Sequence, residues 1–182
     1  MTLFLRILIL DYYKGIKVKN MADKISKKKT GFLWGLFCLG LFLADRFTKL
    51  YMLKNLEPIG SKPVIDRFLQ FTFVENRGAA FGILQGKTWV FVLLTIVIGA
   101  AIIYFMRKLI IKSKYPEIVF ALCLILAGAI GNFYDRIAYG YVVDFFDLLF
   151  VNFAIFNVAD IFVVCGAVIL VLLILFDVKE DF

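Results

Sequence analysis

AGAIGNFYDRIAYGYVVDFFDLLFVNFAIFNVAD, residues 127–160, places Asp135, Arg136, Asp144, Asp147 and Asp160 between and at the ends of two long hydrophobic runs. Charge near lipid is costly, so ionisable groups at such positions point first to function. The stretch also decides the architecture. The apolar runs on either side are each long enough to cross a bilayer, which takes about 20 residues.

The rest of the chain fits that reading. With 182 residues, 63% hydrophobic and 17% aromatic content and a mean hydropathy of +0.91, it has more apolar surface than a water-soluble domain of this size can hide. Four spans are expected, at about 31–53, 89–106, 118–136 and 153–176, giving an all-α membrane protein with a single four-helix domain over 31–178. Residues 54–87 are the longest polar segment. Pro58, Gly60 and Pro63 punctuate its start, and LQFTFV (69–74) alternates with period two as a half-buried strand does. Glu75–Gly78 is a turn candidate and Ala79–Leu84 a second short apolar piece, so a small β-rich element is expected between helices 1 and 2. A loop, 137–152, joins the last two helices, and the tail from 177 to 182 is charged.

The formal charge of +7 is uneven. Residues 1–30 hold eight of the 21 basic residues and two of the 14 acidic ones, leaving thirteen against twelve in the body, which speaks against a nucleic-acid partner. This extension contains a short apolar run, Leu3–Leu10, broken by Arg6, with a second methionine at Met21. It reads as a start placed too early or a dispensable surface segment, with an interfacial helix as the functional alternative; no small-residue cleavage site follows the run to make it a signal peptide. The block DKISKKK (23–29) and the loop RKLIIKSK (107–114) are densely basic, so both termini are expected in the cytoplasm.

Residue types narrow the chemistry. The chain has no histidine, which removes Ser-His and Cys-His pairs and histidine-containing metal sites. Cys38, Cys123 and Cys165 lie singly in hydrophobic runs and read as packing residues, so no metal and no cofactor is expected. The four-helix topology gathers Asp45, Lys49, Asn132, Asp135, Arg136, Asn157 and Asp160 at one membrane face. Asn132, Asp135 and Arg136 share helical spacing, as do Asn157 and Asp160. Asp135–Arg136 reads most simply as a buried charge pair, and Asp45–Lys49 as either a structural pair or a substrate contact. Gly31 and Gly35 form a small-x-x-x-small pair that permits close helix packing. Asp144 and Asp160 differ, because each sits among apolar residues with no base within four positions. Desolvation and a neighbouring carboxylate would raise one pKa and leave a pair sharing a proton, which suits peptide hydrolysis by acid and base together. Asp147, a helical turn from Asp144 if that stretch is helical, is a rival.

These residues resemble the bacterial lipoprotein signal peptidases, or signal peptidase II. The pieces that carry the resemblance are Asp45-Arg-Phe-Thr-Lys49, Asn76-Arg-Gly-Ala-Ala-Phe-Gly82, Gly128-Ala-Ile-Gly-Asn-Phe-Tyr-Asp-Arg136, Val142-Val-Asp-Phe145 and Phe156-Asn-Val-Ala-Asp160, in the family's order from roughly Gly31 to Phe176. The resemblance implies a multi-pass bacterial cell-membrane aspartic endopeptidase that cleaves diacylglyceryl-modified prolipoproteins immediately before the lipidated lipobox cysteine. Asp144 and Asp160 would be the catalytic dyad. Asp45, Lys49, Asn76, Gly78, Asn132, Asp135, Arg136 and Asn157 would bind substrate or support the site, with no role carried over to Asp147. Residues 54–87 would form an extracytoplasmic β-cradle over an extracytoplasmic active site. Globomycin-type cyclic peptides are implied as inhibitors, membrane lipid as a partner and a monomer as the working form. The competing expectations are a small proton-coupled transporter using the outer-face carboxylates and a structural assembly protein; largely apolar inner helix halves argue against transport.

Overall fold

The computed structural model of the chain describes residues 3–78 and 86–176. The expected apolar piece at 79–84 and the charged tail lie outside the described residues. Four helices, α1 (Leu3–Asn55), α2 (Thr88–Lys112), α3 (Pro116–Ala138) and α4 (Val158–Phe176), are long and apolar enough to cross a membrane, α1 through its part Asp23–Asn55. Residue 30 is not a boundary in the backbone, since α1 runs through it without a break.

Three strands complete the fold: β1 (Ser61–Ile65), β2 (Leu69–Asn76) and β3 (Val142–Leu148), all antiparallel in the order β1-β2-β3. β2 arises where the period-two alternation of residues 69–74 was expected, and β1 lies within the segment expected to be β-rich. The third lies inside the 137–152 loop, so the sheet is drawn from two connections rather than from the one between α1 and α2. VVDFFDL had not signalled a strand because Val142 to Phe145 are all buried, which masks the alternation. Asp147 is therefore three strand positions from Asp144, and its carboxylate accepts from Gln70 (2.8 Å) and Thr72 (2.8 Å) on β2.

The last helix starts later than the hydrophobic run. Residues 153–157 are not helical; Phe156 instead bridges to Phe146 and brings the chain along β3 before α4 begins. β2 carries one more residue than β3 between the pairs Phe71↔Phe146 and Val74↔Asp144, a bulge of the kind that re-aims a side chain.

Helix α3 is the central helix, packed against the other three, and its buried face is the longest in the bundle. Its closest neighbour is α4. A Cβ at Gly128 would lie 2.3 Å from the Ala159 carbonyl oxygen, so these backbones touch only because the side chain is a hydrogen. The Gly31/Gly35 pair makes no such seam, since nothing stands within 4 Å of a Cβ built at Gly35. Two apolar cores flank the polar residues. One, with Ile102, Met106, Val119, Leu122, Cys123 and Leu126, fills the far half of the bundle; the other, with Met52, Leu56, Val143 and Phe145, seats the sheet on the end of α1.

Candidate active site

Asp45, Arg46 and Lys49 put two cations and one carboxylate within five residues of an apolar helix, a set that cannot neutralise itself. α3 supplies the missing charge. Asp45, Lys49 and Asp135 are 0% exposed, and Lys49 Nζ lies 3.0 Å from Asp45 Oδ2 and 3.0 Å from Asp135 Oδ2. Arg46 pairs with the other oxygen of Asp135, its guanidinium 4.5 Å from the Tyr134 ring centre. A side chain at Gly131 would collide with Asp45 Oδ2. Burying ions is repaid only where geometry and hydrogen bonding are good, and here one oxygen of each carboxylate also reaches the backbone of a neighbouring element. Asp135 Oδ2 accepts the Val143 N–H (3.2 Å) and Asp45 Oδ1 accepts the Ala159 N–H (3.0 Å). Val143 precedes Asp144 and Ala159 precedes Asp160.

The expected Asp135–Arg136 pair is not formed. Adjacent helical residues point about 100° apart, so Arg136 faces away from Asp135. Its guanidinium donates to the Asn132 carbonyl (3.3 Å) and the Gly78 carbonyl (3.5 Å) and lies 4.8 Å from the Phe91 ring centre.

Asparagines join this frame to the two isolated aspartates. Asn132 Oδ1 accepts from Lys49 Nζ (2.8 Å), and its amide donates to Asp160 Oδ1 (2.7 Å). Asn157 donates to Asp144 Oδ1 (2.6 Å) and to Asn132 Oδ1 (3.1 Å). Asn157 and Asp160 also close a capping box at the start of α4: the Asp160 N–H reaches Asn157 Oδ1 (3.0 Å) and the Asn157 N–H reaches Asp160 Oδ2 (3.0 Å). Asn76 at the end of β2 donates to the second oxygen of Asp144 (2.8 Å), while its own Oδ1 accepts the Gly78 N–H (3.0 Å).

Asp144, Asp160, Asn76, Gly78, Asn132 and Arg136 line one cavity of about 530 Å³, whose other walls are the apolar residues of 153–156 and the first turns of α4. Burial pushes the Asp144 carboxyl up to about 7; the Asp160 charge adds to the rise, while Asn76, Asn157 and Lys49 oppose it. Asp45, Lys49, Asp135 and Asn157 stand behind that wall. Asp147 is not part of it. Among the described residues no group of three or more His, Cys, Asp or Glu is placed to hold a metal.

A protein-family model described as signal peptidase (SPase) II matches residues 37–176. The chain belongs to the signal peptidase II family. The lipoprotein signal peptidase of Caldanaerobacter subterraneus subsp. tengcongensis is 54% identical over 132 residues, which is 72% of this chain and 88% of that protein. The lipoprotein signal peptidase of Clostridium acetobutylicum is 44% identical over 143 residues, covering 76% and 92%. A solved structure described as a bacterial membrane enzyme, determined in meso at 2.3 Å, superposes with a TM-score of 0.71 at 35% identity over 82% of this chain and 92% of that one. The signal peptidase II match begins at residue 37, so the whole basic N-terminal stretch, residues 1–30, lies outside it.

The sequence alone did not single out Arg46, which joins this buried cluster through Asp135. The available signal was charge balance, because Asp45 alone could not serve both Arg46 and Lys49. The backbone N–H groups of Val143 and Ala159 had no signal in residue type.

Proposed function

We propose that this chain is an aspartic endopeptidase that removes the signal peptide of diacylglyceryl-modified prolipoproteins immediately before the lipidated cysteine, with Asp144 and Asp160 as the catalytic pair. The observation that carries the reading is that these two carboxylates, one on a strand and one on a membrane helix, line the same cavity and are held by asparagines on both sides. Asp144, pushed up to about 7, carries the shared proton at neutral pH. Asp160 acts as the base of the pair, held in the first turn of α4 by the Asn132 amide on Oδ1 and the Asn157 N–H on Oδ2.

Asp160 takes a proton from water as its oxygen attacks the scissile carbonyl, and the carbonyl oxygen takes the proton of Asp144, giving a gem-diol. Asp144 then recovers a proton from the diol while Asp160 gives its own to the amide nitrogen. The C–N bond breaks, leaving a carboxylic acid and an amine. The apolar cavity wall lowers the local polarity around the pair, and Asn76, Asn132 and Asn157 fix both carboxylates before substrate arrives.

The charge pattern supports an orientation with both termini in the cytoplasm and the site at the extracytoplasmic face, since DKISKKK and the 107–114 loop sit at the end away from the sheet. Asp45, Lys49, Asp135 and Asn157 are assigned as supports, and Asn76, Gly78, Asn132 and Arg136 as the polar lining that meets substrate. The protein works as a monomer, takes globomycin-type cyclic peptides as inhibitors, and residues 1–30 form an extension that the peptidase domain, 31–178, does not need. A proton-coupled transporter is not supported: the far half of the bundle is filled by apolar side chains.

The test is cleavage of a diacylglyceryl prolipoprotein by purified protein in detergent, read by gel mobility. Asp144→Asn and Asp160→Asn are each expected to lose at least on the order of 10²-fold in rate while retaining a folded thermal transition. Full activity in either variant would remove that residue from the pair.

A further inference from the structure

At the other end of the bundle α1 and α2 diverge. Lys24, Lys27 and Lys28 share one face of α1, and the same stripe runs on through Gly31, Trp34 and Gly35. α2 answers with Arg107 beside Ile103, Met106 and Ile110. Between them is a cavity of about 750 Å³, with the four cations and Asp23 at one end and apolar walls below, floored by Leu126 of α3. Gly31 and Gly35 make it a trough: the nearest atom to a Cβ at Gly31 is 3.9 Å away, and Gly35 has none within 4 Å. Among the described residues, none of the four cations is in an ion pair. From Lys28 to Cys38, ten residues of helix, the trough descends about 15 Å, half of the roughly 30 Å hydrocarbon core.

We propose that this trough binds one anionic phospholipid, its phosphate held by Lys24, Lys27, Lys28 and Arg107 and an acyl chain lying over Gly31 and Gly35 against Trp34. Charge complementarity selects an anionic headgroup, because four cations face a single acid at the rim. The apolar walls select a lipid over a free phosphate, and a depth of one leaflet matches one acyl chain. This site is separate from the carboxylate cavity and does not depend on its assigned chemistry.

The test uses the full chain carrying Trp89→Phe, so that Trp34 is the sole tryptophan of the original two. It is reconstituted in phosphatidylcholine vesicles with a small fraction of phosphatidylglycerol or phosphatidylcholine bearing brominated acyl chains, and quenching of Trp34 is titrated. The anionic brominated lipid is expected to act at a concentration on the order of tenfold lower than the zwitterionic one. Replacing the four cations by Gln should abolish that preference. Gly35→Leu, which fills the trough and keeps every charge, should abolish it too, and keeps the test intact if the fourfold variant does not fold. Equal quenching by both lipids in the parent, or a preference that survives Gly35→Leu, overturns the proposal. Loss of the preference on adding millimolar glycerol phosphate would assign the cations to a soluble phosphate and overturn it as well.

Discussion

Asp45 accepts the backbone N–H of Ala159 at 3.0 Å and so fixes the residue immediately before Asp160 from a helix more than a hundred positions earlier in the chain. Asp135 does the same for Val143, immediately before Asp144. Lys49 lies between these two supports and neutralises both. The frame thus sets the spacing of the two cavity carboxylates through backbone contacts, without touching the cavity.

Lys49→Met should strand Asp45 and Asp135 as buried charges, although Arg46 still faces the latter. Removing one partner from a buried ionic cluster costs about 3–5 kcal/mol, a large part of the stability of most domains. Denaturant unfolding in detergent should show that loss. Adding Asp45→Asn, which keeps an acceptor for Ala159, should restore part of it; an additive double variant would contradict a shared cation.

Asn157 does two separable things. Asn157→Ala should lose the α4 cap, about 1 kcal/mol, together with the hydrogen bond to Asp144. Asn157→Ser keeps a capping oxygen but cannot span to Asp144. Thermal stability close to that of the parent, with activity still down by roughly tenfold or more, is therefore expected of the serine variant, at about the strength of one charge-assisted hydrogen bond. Recovery of activity along with stability would make Asn157 a cap alone.

The rate should fall as pH rises through about 7, because Asp144 then loses the proton it must donate. Stability moves in the same sense. The folded pKa lies above the ordinary 3.8, so the native chain holds a proton that the unfolded chain releases between about pH 4 and 7, and this group's contribution declines across that window. A pH series of unfolding midpoints should show the decline in the parent and a flatter curve in Asp144→Asn.

Gly128→Ala should be among the most damaging single-methyl additions, since the new Cβ would meet the Ala159 carbonyl oxygen and force α3 and α4 apart. Gly40→Ala, with open space around it, should be neutral or stabilising by up to about 1 kcal/mol from helix propensity. Comparing the melting temperatures of the two variants checks this.

Hydrophobic run length made the four helices legible, and the alternation of residues 69–74 revealed β2. β3 was hidden because a strand buried on both faces carries no period. The start of α4 differs for a related reason: Phe153 to Phe156 are apolar enough to extend a helix, but Phe156 pairs its backbone with Phe145 and Phe146 of β3 instead. In the site, every polar residue singled out at the membrane face lies in the cavity wall or directly behind it. The pairing went astray at Arg136, where adjacency in sequence was taken for contact, and at Arg46, which helical direction sends to Asp135.

Asp144 belongs to a strand, whereas Asp160 belongs to a helix long and apolar enough to cross a membrane. The two meet only after β3 has paired with β2 and docked on the end of α1. A newly made chain that has threaded its helices but not yet closed its sheet holds one carboxylate in place and lacks the other. The cavity is therefore a joint product of the sheet and the bundle, and neither part supplies both carboxylates alone.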